Sequence, residues 1–198
     1  MWFYETEIGN QGYKSIAGID EVGRGPLAGP VVAASVILPE KCRIEGLNDS
    51  KKLSEKKRNL IFRIIQQKAL AIGIGVVSWD IIDRTNISHA VKAAMVDSVS
   101  RLNSKPDFLL IDGIQKIPSI IPQLTIKKGD ALSASIAAAS IIAKVTRDGM
   151  MVRYNNIYPS YGFNRHKGYG TQDHLKNIIK FGPCKIHRKT FKRVKEYC

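Results

Sequence analysis

Ile19-Asp20-Glu21-Val22-Gly23-Arg24-Gly25-Pro26-Leu27-Ala28-Gly29-Pro30 decides how this chain is read. The apolar run from Ser15 to Ile19 ends on two adjacent carboxylates, and three glycines and two prolines follow at once. Acidic residues are depleted in strands and the glycine-proline run cannot continue one, so a pair of acids at this junction needs a reason. Val31 to Leu38, closed by Pro39, reads as a second strand. The turn between the two is too short for a helical crossover, which predicts antiparallel neighbours. Neighbouring residues on a strand face opposite ways, so Asp20 and Glu21 can share one site only if the strand ends or bulges there.

Working outward, Asn48 to Leu53 is a polar loop, and Ser54 is placed to cap a helix. Leu60, Ile61, Ile64 and Ile65 line one face of that helix and basic residues the other. Ala71 to Val77 alternates glycine with Ile72, Ile74 and Val76, a strand with close backbone approach on one side. A helix with a buried stripe follows through Ile87, Val91, Ala94, Met95, Val99 and Leu102. Phe108 to Ile111 reads as a central strand, and Asp112 arrives at its end. Gln123 to Ile126 reads as a short strand leading to Lys128-Gly129-Asp130. An alanine- and serine-rich helix runs from Ala131 to about Asp148, with Leu132, Ile136, Ala139 and Ala143 on its packing face. Thr171 caps a last helix through Leu175, Ile178 and Ile179, stopped by Gly182-Pro183. The expected fold is α/β, a mixed sheet flanked by helices. Residues 1–14 form a lead to a domain of residues 15–198 whose part from about residue 158 is a small helical subdomain.

The 198 residues carry 31 Lys+Arg against 17 Asp+Glu, a net charge of +14. From Ile141 onward 13 basic residues face three acids, so most of the excess lies in the C-terminal segment. Such a field favours a polyanion, and without a basic amphipathic helix bearing a large aromatic face it points to nucleic acid rather than a membrane. No apolar run approaches the roughly 20 residues that span a bilayer. Met1 to Lys14 lacks the basic-then-apolar layout of a signal peptide. Cys42, Cys184 and Cys198 are odd in number and widely spaced, which suits a reduced compartment. A soluble, cytoplasmic protein, monomeric and without membrane contact, is the expectation.

Asp20, Glu21, Asp112 and Asp130 all stand at the ends of apolar elements, where α/β sheets open their binding crevice. Gathered carboxylates in a basic protein repel one another unless a hard cation shares them. Mg²⁺ or Mn²⁺ takes carboxylate and water oxygens, and two such ions can activate a water and stabilise the leaving oxygen of a phosphodiester. Singly, Asp112 before Gly113 also reads as turn chemistry, and Asp130 as a helix N-cap. Gly23-Arg24-Gly25 lets main-chain amides approach a sugar-phosphate chain, or is a plain tight turn. Ser50 and Lys51 supply phosphate donors, or belong to a solvated loop. Tyr169, between glycines, can stack on a base or sugar, or sit in the core. Lys144, Arg147 and Asp148 form a helix-surface ion pair or lie near the metals. His89, His166, His174 and His187 show no metal-ligand spacing.

Six ordered blocks carry a resemblance: residues 19–30, Asn48 to Leu53, Ile111-Asp112-Gly113, Lys128-Gly129-Asp130, Ala138 to Asp148, and His166-Lys167-Gly168-Tyr169-Gly170-Thr171. Together they resemble bacterial ribonuclease HII, of the type 2 ribonuclease H family, over about residue 15 to the C-terminal region. The resemblance implies a ribonuclease H-like fold. It also implies an endonuclease that cuts the RNA strand of RNA–DNA hybrids and nicks duplex DNA 5′ of an embedded ribonucleotide. The ends left would be 3′-hydroxyl and 5′-phosphate, and the task the removal of misincorporated ribonucleotides. By the same resemblance Asp20, Glu21, Asp112 and Asp130 bind Mg²⁺ or Mn²⁺, with two ions in catalysis. Gly23, Arg24 and Gly25 read the ribose 2′-hydroxyl, Tyr169 packs on the next deoxyribose, and Ser50 and Lys51 contact phosphate. Another nuclease of this fold would cut without needing a 2′-hydroxyl, and a non-catalytic nucleic-acid-binding protein would use the acids structurally.

Overall fold

The structure is a computed structural model that describes the backbone of all 198 residues and every side chain except that of Lys52. A short helix α1 (Phe3–Asn10) precedes the hairpin of β1 (Ile16–Val22) and β2 (Val31–Ile37). Helix α2 (Glu55–Lys68) and strand β3 (Ala71–Val77) follow, then α3 (Trp79–Arg84) and α4 (Ile87–Ser100). Strands β4 (Phe108–Asp112) and β5 (Gln123–Ile126) lead into α5 (Gly129–Leu132) and the long α6 (Ala134–Ile157). Three short helices complete the chain: α7 (Phe163–His166), α8 (Gln172–Phe181) and α9 (Lys192–Lys195).

The five strands form one mixed sheet in the order β3-β2-β1-β4-β5. β1 pairs antiparallel with β2, as the short glycine turn requires, and β2 antiparallel with β3. β4 lies inside the sheet, parallel to both β1 and β5. Alternation along β1 gives Ala17 and Ile19 to a core shared with Val91, Ala94 and Met95 of α4. The other face packs under α6 and α2 through Val32, Ala34, Ala138, Ile142 and Ile65. A Cβ at Gly75 would lie 2.0 Å from the Ala94 carbonyl oxygen, so the alternating glycines of β3 are what let α4 lie against the sheet.

The caps at Ser54 and Thr171 stand where the sequence placed them, and Ser133 adds a third that the sequence reading did not include. Ser54, Ser133 and Thr171 each accept an amide hydrogen bond at the start of α2, α6 and α8. The structure corrects three packing faces, since Leu60, Leu132 and Ile179 are 59%, 45% and 61% exposed. The alanine-rich segment is also two helices: Ser133 is extended and starts a fresh helix that runs on to Ile157, past the expected end at Asp148. Nothing breaks the hydrogen-bond ladder until Tyr158 and Pro159. Among the described residues no helix is long and apolar enough to cross a membrane, and Cys42, Cys184 and Cys198 are free.

Candidate active site

The parallel ladder between β1 and β4 ends at the pair Ile19–Ile111, and one residue further each strand delivers an aspartate, Asp20 and Asp112. β1 neither ends nor bulges there, since its pairing with β2 stays regular through Asp20–Ala34, Glu21–Ala33 and Val22–Val32. This corrects the condition drawn from the sequence. Asp20 shares the α6 face with Gly18 while Glu21 takes the opposite face. The two acids still meet because β4 has stopped beside them, and the carboxylate of Asp112 acts on both. Asp130 comes from α5: the Gly129 amide donates to Asp112 Oδ1 at 2.7 Å, which fastens the α5 turn to the end of β4. Asp130 is therefore not the residue capping α5, a position held by Lys128.

Asp20 is 4% exposed. Burial, then the charges of Glu21 and Asp112, hold its carboxyl well above the ordinary aspartate range. Burial also raises Glu21, against the pull of Arg24, whose guanidinium lies 3.4 Å from Glu21 Oε1. Asp130 is raised by burial and by Asp112, against Lys51, whose ammonium lies 3.4 Å from Asp130 Oδ2. All three carboxyls are raised first by burial and then by the charge of neighbouring acids, so the cluster holds more negative charge than Arg24 and Lys51 offset. The all-oxygen donor set and that surplus fit a hard divalent cation. Among the described residues, no three His, Cys, Asp or Glu side chains are drawn together closely enough to ligate one ion as they stand.

Asp20 and Glu21 open on a cleft of about 280 Å³ that also includes Ser50, Lys51, Lys144 and Tyr169. Hollows of about 490 and 780 Å³ elsewhere hold none of the four acids. The glycine turn follows directly on the lining residue Val22. Gly23 has φ +103°, and a Cβ there would lie 2.7 Å from the Pro30 carbonyl oxygen, so no other residue fits. A Cβ on Gly25 would come 3.9 Å from Tyr169 Cε1, which puts the tyrosine beside the turn. Tyr169 is 41% exposed, and the Lys144 ammonium sits 5.9 Å from its ring centre. Lys144 is paired with Asp148 at 2.8 Å, and Arg58 reaches the same carboxylate at 3.5 Å.

The structure thus places Asp20, Glu21, Lys51 and Tyr169 in one cleft, with Asp112 and Asp130 close enough for their charges to act on Asp20, Arg24 at 3.4 Å from Glu21 and Gly25 beside Tyr169. Ser50 lies there too, but its side chain is buried and its hydroxyl is hydrogen-bonded to that of Ser140 at 2.7 Å. Two contributors escape a reading of the sequence. Arg58 donates to the Ser50 and Leu53 carbonyls at 3.0 and 2.9 Å and so shapes the loop bearing Lys51. Arg188 holds the glycine turn from behind. In the sequence Arg58 is one of many basic residues on α2, and nothing local distinguishes Arg188 from the surface lysines around it.

The fold is shared with proteins of known structure. The chain is similar to the ribonuclease H2 of Pyrococcus horikoshii OT3, with TM-score 0.78 and 25% identity over 92% of this chain and 96% of that one. It also overlays the protein solved as Bst-RNase HIII in complex with Mn2+, at TM-score 0.69 and 19% identity over 92% of this chain and 68% of that one, which shows the ribonuclease H-like fold. In sequence it is 59% identical to the Ribonuclease HII of Geotalea uraniireducens over 98% of this chain and 90% of that protein. It is 58% identical to that of Bacillus cytotoxicus over 98% and 74%. Residues 17–194 match the family model described as Ribonuclease HII, and the chain therefore belongs to the ribonuclease HII family, as an endoribonuclease that hydrolyses its nucleic-acid substrate.

Proposed function

We propose that this enzyme cuts the RNA strand of RNA–DNA hybrids and nicks duplex DNA on the 5′ side of an embedded ribonucleotide. It leaves 3′-hydroxyl and 5′-phosphate ends and so serves the removal of misincorporated ribonucleotides. The observation that carries this reading is the adjacency of the four carboxylates to the Gly23-Arg24-Gly25 turn and Tyr169. Asp20 and Glu21 line one cleft with Tyr169, Arg24 reaches Glu21 at 3.4 Å, and Gly25 lies beside the Tyr169 ring, so acids suited to phosphodiester hydrolysis stand next to groups suited to inspecting a sugar.

Asp20, Glu21, Asp112 and Asp130 hold Mg²⁺ or Mn²⁺. When bound, such ions supply an activated water and neutralise charge on the leaving oxygen. The rest of the work falls to the chain's own side chains. Amides at Gly23 to Gly25 meet the ribose, whose 2′-hydroxyl separates RNA from DNA. Arg24, half exposed and 3.4 Å from Glu21, ties that sugar-reading turn to the acids. Tyr169 offers a ring face to the following deoxyribose. The Ser50–Lys51 loop and Lys144 face phosphates, and the basic C-terminal segment adds sequence-independent attraction.

A duplex carrying a single ribonucleotide, incubated with Mg²⁺ or Mn²⁺, tests the reading directly. Nicking 5′ of the ribonucleotide with the all-DNA duplex left intact is the expected result. An untouched ribonucleotide duplex would sink it.

A further inference from the structure

The segment Cys184 to Arg188 runs behind both the sugar-reading turn and Tyr169. The Ile186 carbonyl accepts from the Gly29 amide at 2.9 Å, and the Arg188 amide donates to the Leu27 carbonyl at 2.9 Å. Arg188 is fully buried with its guanidinium 5.1 Å from the Phe191 ring centre, and all of its hydrogen bonds go to main-chain carbonyls. Nε donates to Gly29 at 3.1 Å, one Nη to Arg24 at 3.0 Å, and the other to Gly23 at 2.6 Å and Gly29 at 2.9 Å. Arg147, equally buried, fastens the far end of the turn by donating to Ala28 and Pro30 at 3.1 and 2.9 Å. Among the described residues neither arginine has a carboxylate within 4 Å.

An unpaired buried cation is a costly way to fill a core, and an apolar side chain would do that better. What a planar fork of donors does, and an apolar chain cannot, is fix several carbonyls in one orientation. In a trans peptide the carbonyl and the next amide point opposite ways, and this chain has no cis bonds. Drawing the Gly23 and Arg24 carbonyls inward onto Arg188 therefore turns the amides of Arg24 and Gly25 outward. Among the described residues neither amide donates to another protein group.

The adjacent residue braces Tyr169. The Cys184 amide donates to His187 Nδ1 at 2.9 Å, so His187 carries its proton on Nε2. That proton goes to His174 Nε2 at 3.0 Å, which leaves His174 protonated on Nδ1 and donating to the Tyr169 carbonyl at 2.9 Å. Main-chain groups fix both ends of this chain of hydrogen bonds, so it can run in only one direction while both rings are neutral.

We infer that His187 and Arg188 are positioning residues for ribonucleotide specificity: Arg188 aims the Arg24 and Gly25 amides at the substrate sugar, and His187, through His174, sets Tyr169 beside them. The inference rests on the reading that this turn and Tyr169 meet the ribonucleotide. Arg188→Lys and His187→Phe test it, each keeping much of the side chain's bulk. Steady-state kinetics in Mn²⁺ on the single-ribonucleotide duplex is combined with inhibition by an all-DNA duplex and with thermal melting. Arg188→Lys should lower kcat/KM at least tenfold while the inhibition constant of the all-DNA duplex stays within twofold. His187→Phe should lower the preference for the single ribonucleotide over a uniform hybrid several-fold. Unchanged kcat/KM and preference would overturn the inference. So would a parallel loss of all-DNA binding, or loss of a cooperative melt in Arg188→Lys, since each makes the role structural only. Wild-type protein that leaves the ribonucleotide duplex uncut would instead refute the underlying function.

Discussion

The Gly129 amide donates a 2.7 Å hydrogen bond to Asp112 Oδ1, so the acid at the end of β4 fixes the turn that carries the acid of α5. Asp112→Asn keeps that acceptor oxygen and removes the charge. Cleavage should fall roughly 100-fold or more, in the range that single electrostatic contributors to a transition state command. Duplex binding should persist. A variant as active as the wild type would remove Asp112 from the chemistry. Gly129→Ala probes the turn from the other side, because its Cβ would lie 2.7 Å from Ile136 Cδ1 and 3.3 Å from Asp112 Oδ1. A several-fold loss of activity with little change in DNA affinity is expected.

Asp20 shows what the surplus charge costs the fold. Its carboxyl sits well above the ordinary range, so the folded protein binds that proton more tightly than the unfolded chain does. Without metal at neutral pH the charge therefore destabilises, and the penalty fades as pH falls through the raised value. Asp20→Asn keeps the 2.7 Å acceptor for the Glu21 amide and should stabilise the metal-free protein by roughly 1–2 kcal/mol, or about 2–8 °C in Tm. Mn²⁺ should raise the Tm of the wild type by mass action and raise that of Asp20→Asn much less. Equal shifts in differential scanning calorimetry would place the cation elsewhere.

The sequence made the acids legible for a simple reason: charge at the end of an apolar run has no cheap structural use, so Asp20 and Glu21 stood out before any fold was known. The strands and helix caps were legible because turn chemistry and Ser or Thr caps act within a few residues. Periodicity over-called Leu60, Leu132 and Ile179, since it marks which side a residue points to and not how far the neighbouring element extends. The brace by Arg188 could not be read at all. It meets the Gly23 carbonyl across 165 positions, and its partners are main-chain oxygens that leave no mark on side-chain pattern.

Glu5 ties α1 to the start of α6. Its Oε1 accepts from the Ser133 hydroxyl at 2.6 Å, the Ser135 amide at 2.9 Å and the Ser135 hydroxyl at 2.7 Å. A carboxylate at a helix N-terminus satisfies free amides and meets the positive end of the dipole. Glu5→Ala should cost about 1–3 kcal/mol, the penalty of leaving buried donors unpaired. Because Glu5 lines a different hollow from the acids, cleavage per folded molecule at low temperature should stay within twofold. A fall in kcat without a fall in Tm would contradict the assignment.

The histidine chain behind Tyr169 makes a prediction about acid. Burial lowers His174 to about 3 and His187 to about 4, from an ordinary value near 6.5. The unfolded chain then takes up protons below about pH 6.5 that the folded chain refuses, so stability held in full above that pH is lost progressively toward pH 4. Asp20, Glu21 and Asp130, with raised carboxyls, act in the opposite direction and mask this loss in the wild type alone. A difference measurement separates the two. His187→Phe removes one imidazole and leaves the acids, so the stability gap between wild type and variant should narrow between pH 7 and pH 5 in urea melts. Imidazole resonances of His174 and His187 should stay fixed over the same interval. Titration of either near pH 6.5 would mean that the ring is exposed, and the directed chain of hydrogen bonds to Tyr169 would have to be abandoned.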